Sequence, residues 1–277
     1  EEGKTNSDIF VMNADGTGLR QMTQSEAADY DPHWSPDGKW LLFTSSRENG
    51  AQLWKLPVDG GEPAQLTNFH MGVNGPLWFP DGKKILFFSE VYPECAADDE
   101  CNKKLAKDAE EGPVQAHLAD DLLYRHWDFW KDGKRFHTLL FDIEAKTYTD
   151  LTPGELDVPA YLTGGANAGY DIAPDGMEAC LAANADPNEW ETTNKDLWLV
   201  PAGGGALKNI TDDNEAYDGN PKYSPDGRYI AYLMQAIPTF EADRFRLALY
   251  DRKTRDKRVL TEAHDNWVGL FEWAPDS

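Results

Sequence analysis

The chain has 277 residues, of which 40% are hydrophobic and 12% aromatic, so it carries enough apolar material for a substantial core and is not a disordered tail. This length suits one large all-β domain or two average domains. The formal net charge of -23 repels nucleic-acid phosphates and anionic lipid, so no nucleic-acid partner is expected. A solvated acidic surface is the simplest interpretation; tolerance of salt and attraction of cationic peptides stay open. No apolar stretch reaches the ~18 residues of a membrane span.

Five segments in chain order share one pattern, an apolar strand, a turn and then a hydrophobic residue followed by Thr. We refer to these threonines as the Thr marks. The strands begin near Ile9, Leu53, Leu139, Leu197 and Leu247, and the marks are Met22-Thr23, Leu66-Thr67, Leu151-Thr152, Ile210-Thr211 and Leu260-Thr261. Each segment is therefore predicted to be a strand hairpin.

A second mark, Pro-Asp-Gly, recurs between these segments. It occurs at Pro36-Asp37-Gly38, Pro80-Asp81-Gly82, Pro174-Asp175-Gly176 and Pro225-Asp226-Gly227, and Pro275-Asp276-Ser277 begins a fifth copy. Pro presets φ near -65° and Gly accepts the positive φ that closes a tight turn. Residues rich in β formers follow each turn, so each copy is predicted to join two strands. Among these residues, Leu42, Leu86, Ile230 and Tyr232 are expected to be buried.

The spacing of the two marks predicts the fold. Successive Pro residues lie 44, 94, 51 and 50 positions apart, and a period of about 45 to 50 residues matches one four-stranded propeller blade. The 94-residue interval holds a single Thr mark, so it indicates one blade with an acidic insertion at about residues 91–135. No helical pattern recurs, which argues against an α/β sheet. Residues 1–277 are predicted to be an all-β β-propeller fragment of about five four-stranded blades.

The insertion contains two of the three cysteines. Cys95 and Cys101 flank a short polar loop in which a disulfide is sterically possible and would suit an oxidising compartment. A metal pair is the alternative, but no further Cys or His completes a zinc-like spacing. The six histidines form no metal-binding pattern, so no metal or cofactor is expected. Cys180 lies in an alternating strand and is predicted to be core.

Several motifs resemble known families. Strings like Tyr223-Ser224-Pro225-Asp226-Gly227 resemble the repeats of the Tol-type periplasmic translocation protein and of prolyl oligopeptidase-family peptidases. Within the insertion, residues 91–95, 101–104, 123–128 and 130–135 are similar to the bacterial dipeptidyl-peptidase five-like branch of that peptidase family. The segment Glu189 to Trp198 is similar to a loop that leads into the next blade strand in the same group.

The resemblance implies a seven- or eight-bladed propeller that covers an α/β-hydrolase domain. The sequence has no Gly-x-Ser-x-Gly nucleophile elbow, so the hydrolase domain is absent and no catalytic residue is assigned. The chain is expected to be the non-catalytic propeller of a periplasmic or secreted serine peptidase of the dipeptidyl or acylaminoacyl type, and to gate access of short peptides to that hydrolase domain. The alternative is a periplasmic Tol-like propeller that binds proteins. An enzyme built from the propeller itself lacks any recognised constellation.

One cluster is a candidate substrate contact. Arg125, His126 and Asp128 lie together in the insertion, and the terminal ammonium of a peptide needs a carboxylate such as Asp128 or a nearby Glu. The alternative is a strand in which Arg125 and Asp128 pair within the blade.

Overall fold

A computed structural model describes residues 6–120, 122–126, 129–160 and 169–277, apart from the side chain of His126. The described chain folds into antiparallel sheets, and four of them have four strands each, in simple sequential order. We call these sheets blades 1 to 4. The prediction of an all-β chain built from four-stranded propeller blades is confirmed.

The strand bounds follow the chain. Hairpin β1 (Phe10–Val11) and β2 (Arg20–Gln21) precedes blade 1, which has β3 (Asp29–Trp34), β4 (Trp40–Ser45), β5 (Gln52–Pro57) and β6 (Ala64–Gln65). Blade 2 has β7 (Asn74–Trp78), β8 (Lys84–Val91), β11 (Arg135–Asp142) and β12 (Thr147–Asp150). Blade 3 has β13 (Tyr170–Ile172), β14 (Glu178–Ala183), β15 (Asp196–Pro201) and β16 (Lys208–Asn209). Blade 4 has β17 (Asp218–Tyr223), β18 (Tyr229–Met234), β19 (Arg246–Asp251) and β20 (Lys257–Val259).

Each Thr mark closes a hairpin by the same hydrogen bond. The mark's hydroxyl oxygen accepts from the backbone N–H fourteen residues earlier, in or next to the opposite strand. The five donors are Ile9, Leu53, Thr138, Leu197 and Leu247, with donor–acceptor distances of 3.0, 2.9, 2.9, 2.8 and 2.8 Å. The five hairpins predicted from these marks are all present, and the first stands alone as β1–β2.

Each Pro-Asp-Gly forms the turn between the first two strands of a blade. In blade 4 the Asp226 carboxylate accepts from the backbone N–H of Arg228 at 2.9 Å, and Gly227 has a φ of +69°. The Gly227 N–H donates to the Ser224 carbonyl at 2.8 Å, which closes the turn. The same bonds recur at Asp37, so this motif is a structural turn.

The core lies between successive blades. Alternating residues of one strand face the two neighbouring sheets: Leu41 and Phe43 pack toward the β1–β2 hairpin, while Leu42 packs toward blade 2. Leu42, Leu86, Ile230 and Tyr232 are buried as predicted, and so is Cys180. Each blade therefore shares its apolar faces with its neighbours, as propeller blades do.

Residues 92–134 connect β8 to β11 and contain helix α1 (Asp99–Glu111) and a small hairpin of β9 (Arg125–His126) and β10 (Phe129–Trp130). Cys95 and Cys101 are joined in a disulfide at the start of α1. The Asn102 side chain is buried and bonds the backbone of Tyr92, Ala96 and Asp98, which fixes the helix on the blade. A short 3₁₀ helix spans Glu189–Glu191. No helix of the described residues is long and apolar enough to cross a bilayer.

Candidate functional site

A cleft of about 710 Å³ lies between the insertion and blade 3. One side is formed by Leu118 to Asp120 and Leu122 to Tyr124 of the insertion, and the other by Asn184 to Pro187 and Glu189. Between them lie residues 130–133 and 155–157. A cavity of this size falls in the range of small-molecule sites, roughly 300–1,000 Å³.

The ammonium of Lys131 ties the two sides of the cleft together. Its Nζ lies 2.8 Å from Asp157 Oδ2 and 2.6 Å from Glu189 Oε1, and the side chain is buried. Asp157 follows blade 2, whereas Glu189 belongs to the loop between β14 and β15 of blade 3. The insertion is therefore fixed to blade 3 by a three-charge bridge.

Asp157 is the most buried carboxylate of this bridge. Its Oδ1 accepts from the backbone N–H of Phe136 at 2.7 Å, and its Oδ2 accepts from Lys131. Burial raises the pKa of Asp157, while the charge of Lys131 opposes that rise. Breaking the bridge by removing Lys131 would leave a buried carboxylate without its cation, which is strongly unfavourable.

The charges of the described residues that line the cleft do not balance. Arg135 pairs with Glu155 at 3.8 Å, beside the Lys131 bridge. The two cations that line the cleft, Lys131 and Arg135, pair with Glu155, Asp157 and Glu189. Three further carboxylates, those of Asp120, Asp132 and Asp186, line the cleft as well. Carboxylates therefore outnumber cations there, and a positively charged ligand would reduce the excess.

An aromatic stack forms the outer wall of the cleft. The His117 ring lies parallel to Trp130 with centroids 3.8 Å apart, and Tyr124 stacks on Trp130 at 5.9 Å. His117 Nδ1 also lies 2.8 Å from Asp132 Oδ1. These contacts hold the segment before β9 over the cleft.

Two of the three predicted substrate residues, Arg125 and His126, lie in β9, directly after the cleft residue Tyr124. Arg125 is exposed in β9, with its guanidinium carbon 5.4 Å from the Trp130 ring centroid. His126 pairs with Phe129 in the strand ladder. Asp128 lies outside the described residues, so its role stays a prediction.

The residues that form the floor were not singled out from the sequence. Lys131 and Glu189 both lie inside the motifs that carried the family resemblance, 130–135 and 189–198, so those motifs were a usable signal. Asp157 had no signal, because it lies beyond the Thr mark at Thr152 and outside the motifs that carried the family resemblance. Among the described residues, no group of three or more His, Cys, Asp or Glu side chains is arranged to hold a metal.

The sequence of this chain is similar to those of known propeller proteins. Residues 1–103 match the family model described as the TolB beta propeller domain. Dipeptidyl-peptidase 5 of Porphyromonas gingivalis is 30% identical over 279 aligned positions, which cover 99% of this chain and 40% of that protein. The chain resembles dipeptidyl-peptidase 5. The enzyme of the same name from Porphyromonas endodontalis is 28% identical, over 90% of this chain and 36% of its own length.

Solved structures show the same fold. The acylaminoacyl peptidase of Pyrococcus horikoshii aligns with a TM-score of 0.63 at 15% identity, over 94% of this chain and 35% of that one. TolB from Acinetobacter baumannii aligns with a TM-score of 0.57 at 15% identity, over 91% of this chain and 48% of that one. The resemblance to dipeptidyl-peptidase 5 and to TolB-type propellers is thus confirmed, and the chain spans well under half the length of the two Porphyromonas relatives.

Proposed function

We propose that this chain is the propeller part of a serine peptidase like dipeptidyl-peptidase 5, in which it restricts access to short peptides. The cleft between the insertion and blade 3 holds the N-terminal ammonium of the peptide. In this proposal residues 1–277 form the propeller region, and acyl transfer through a serine ester takes place in an α/β-hydrolase domain of the longer protein. The insertion narrows the way to that domain.

The unbalanced charge at the floor of the cleft carries this proposal. Lys131 holds Asp157 and Glu189 in place and Arg135 engages Glu155, while Asp120, Asp132 and Asp186 add negative charge, so the lining lacks positive charge. A peptide ammonium supplies that charge and three N–H donors, and charge-assisted hydrogen bonds are the strongest type available here. The side chains of Leu123, Tyr124 and Leu156 offer an apolar wall for the peptide's first side chain.

Binding of the dipeptide Ala-Phe amide and of its N-acetyl form, measured by titration calorimetry, tests this proposal. We expect the free amine to bind and the acetylated peptide to bind at least tenfold more weakly, because acetylation removes the charge. Glu189→Gln should weaken binding of the free amine by roughly 10- to 100-fold, the loss of one charged hydrogen bond. Glu191→Gln, an exposed neighbour in the same 3₁₀ helix, should leave binding unchanged.

Two results would contradict the proposal. Equal binding of the free and acetylated peptides would remove the ammonium from the interaction. Equal weakening by the two Glu variants would show that only the overall surface charge matters. Thermal melting of both variants controls for loss of the Lys131 bridge.

The match of residues 1–103 to the TolB beta propeller domain favours a second candidate, a propeller that binds other proteins. The sequence that follows residue 277 in the gene separates the two candidates. A Gly-x-Ser-x-Gly elbow there supports the peptidase, and a chain without a hydrolase domain supports the protein-binding module. The Cys95–Cys101 disulfide favours a periplasmic or secreted location for either.

A further inference from the structure

Two buried carboxyl groups lie near each other at the junction of blades 3 and 4, where the charge of Asp196 acts on Asp218. Asp196 begins β15 and Asp218 begins β17, and they are 7% and 1% exposed. One oxygen of each is bonded: Asp196 Oδ2 accepts from Asn209 Nδ2 at 2.8 Å, and Asp218 Oδ1 accepts from Asn214 Nδ2 at 3.0 Å. The other oxygens, Asp196 Oδ1 and Asp218 Oδ2, are shielded from solvent and have no hydrogen-bond donor among the described residues.

Among the described residues, one hydroxyl, that of Thr211, lies beside both groups, and it cannot donate to both. Thr211 lies next to Asp196 and to Asp218, and its Oγ1 already accepts from the backbone N–H of Leu197 at 2.8 Å. A threonine hydroxyl has one proton to donate. If both carboxyl groups were ionised, at least one buried anionic oxygen would lack a donor, which is costly.

At the equivalent junction in blade 1, an arginine pairs with the buried carboxylate. Asp29 begins β3 and pairs with Ser45, as Asp218 begins β17 and pairs with Met234. Two residues after Ser45, Arg47 bonds Asp29 through Nε at 3.2 Å and Nη2 at 2.5 Å. Two residues after Met234 the chain has Ala236. The repeat therefore provides a cation at one junction and none at the other.

The surroundings of the pair are also acidic. Asp212 and Asp213 lie on the adjoining loop, and Lys257 of β20, which acts on the pair, forms its ion pair with Asp213. The ammonium of Lys195, the residue before Asp196, is buried over the ring of Tyr217. Tyr217 and Tyr232 also face Asp218.

We propose that Asp196 and Asp218 bind one proton between them at neutral pH, with Asp218 as the protonated partner. This proton provides the donor that the buried oxygens lack and neutralises the junction as Arg47 neutralises Asp29. The structure thus contains a proton-binding site between two blades, distinct from the cleft. Loss of the proton places two charges in a buried space and loosens the junction.

The electrostatics agree with this assignment. Burial raises the pKa of Asp218 to about 8, and the charge of Asp196 adds to the rise. Burial also raises the pKa of Asp196. An unfolded Asp has a pKa of about 3.9, so folding takes up a proton between about pH 4 and pH 8. The contribution of Asp218 to folding stability is therefore fully favourable below about pH 4. As the pH rises from about 4 to about 8, the equilibrium constant for folding falls by up to roughly tenfold per pH unit.

Urea unfolding of the wild-type chain and of Asp218→Asn at several pH values tests the proposal. Asn is neutral at every pH, so the variant should lack this part of the pH dependence. We expect the ratio of its unfolding constant to that of the wild type to fall by close to tenfold per unit between about pH 5 and pH 7. Asp59→Asn, which removes a charge from an exposed turn of blade 1, should run parallel to the wild type.

A second measurement follows the proton directly. Carbon-13 NMR of the wild-type chain labelled at the aspartate carboxyl carbons should show a carboxyl that titrates near pH 8 and is absent from Asp218→Asn. If that variant does not fold, Asp196→Asn replaces it, because removing the neighbouring charge should lower the titration point. The proposal would be overturned if the stabilities of the wild type and Asp218→Asn ran parallel with pH, or if no carboxyl titrated near pH 8. Stabilisation by Ca²⁺ that Asp218→Asn abolishes would also overturn it, since the cation would then be a metal.

Discussion

A threonine hydroxyl closes each hairpin of the repeat by accepting a backbone N–H at the strand end. In blade 1, Thr67 accepts from the N–H of Leu53 and donates to the Gln52 side chain at 2.8 Å. The residue before it, Leu66, continues the backbone ladder with an N–H bond to the Leu53 carbonyl. One small side chain therefore satisfies a buried donor and fixes the position of an apolar neighbour, which explains why the two residues recur together.

Replacing Thr67 with Val should destabilise the chain by about 1–3 kcal/mol, because the Leu53 N–H is left buried without an acceptor. The size and β propensity of the side chain are nearly unchanged, so the loss reports the hydroxyl. Thr147→Val, at an exposed position of β12, should have little effect. Urea denaturation measures both, and similar stabilities for the two variants would remove the hydroxyl's role.

Residues with a repeat mark could be predicted, and those whose role depends on tertiary pairing could not. The Thr marks and Pro-Asp-Gly turns act within one hairpin, so their spacing in the sequence was enough to assign them. Lys131 bonds Asp157 and Glu189, which are 26 and 58 positions away. Only the packing of the insertion against blade 3 brings these three charges together, and no local pattern records it.

At the scale of elements, the Pro-Asp-Gly turns of successive blades touch one another. A Cβ on Gly176 would lie 3.6 Å from Pro80 Cδ, and one on Gly227 would lie 3.7 Å from Pro174 Cδ. Each turn thus rests on the proline of the preceding blade. The proline that shapes one turn also positions the next, which helps keep the blades in a regular arrangement.

Gly176→Ala should destabilise the chain by about 1–2 kcal/mol, since Gly176 has a φ of +68° that side chains with a Cβ rarely adopt. Gly203, in the β15–β16 turn, has no positive φ and open space around its Cβ position. Gly203→Ala should therefore be neutral or slightly stabilising. Thermal melting compares the two, and an equal loss of stability in both would contradict the argument from φ.

The insertion combines predictable and unpredictable elements. The spacing of Cys95 and Cys101 pointed to a local bridge, and the two residues are joined where α1 begins. Helix α1 itself was not located from sequence, because only Asn102 is buried on it and it presents no wide apolar face. Its position depends on the bonds of Asn102 and on Asp98, whose side chain accepts from the Cys101 N–H at 3.0 Å.

At the scale of the whole molecule, the period of the repeat was enough to predict the propeller fold. The number of complete blades was harder to predict, since the first Thr mark belongs to the β1–β2 hairpin and not to a four-stranded sheet. An isolated hairpin and the last hairpin of a complete blade carry the same Thr mark, so the sequence pattern alone does not distinguish them.

The chain alone should not hydrolyse chromogenic dipeptides or react with a serine-directed fluorophosphonate. Ser35 and Ser224 donate to the Asp carboxylates of their own turns at 2.6 and 2.5 Å, and Ser89 donates to the Gly72 carbonyl at 2.7 Å. None of these hydroxyls is paired with a general base in a nucleophile elbow. A serine hydrolase run alongside validates the probe. Stoichiometric labelling that disappears when one serine is replaced would contradict the expectation.

The full pairing of β8 with β11, over eight residues from Lys84 to Val91, has an evolutionary consequence. The strands are held together by the blade, so the chain between them is a closed loop whose entropy cost grows only with the logarithm of its length. Lengthening a five-residue connection to residues 92–134 costs only about 2 kcal/mol on this basis. This end of the blade can therefore accept new segments by insertion, and a lineage can acquire a different cleft wall while its propeller stays the same.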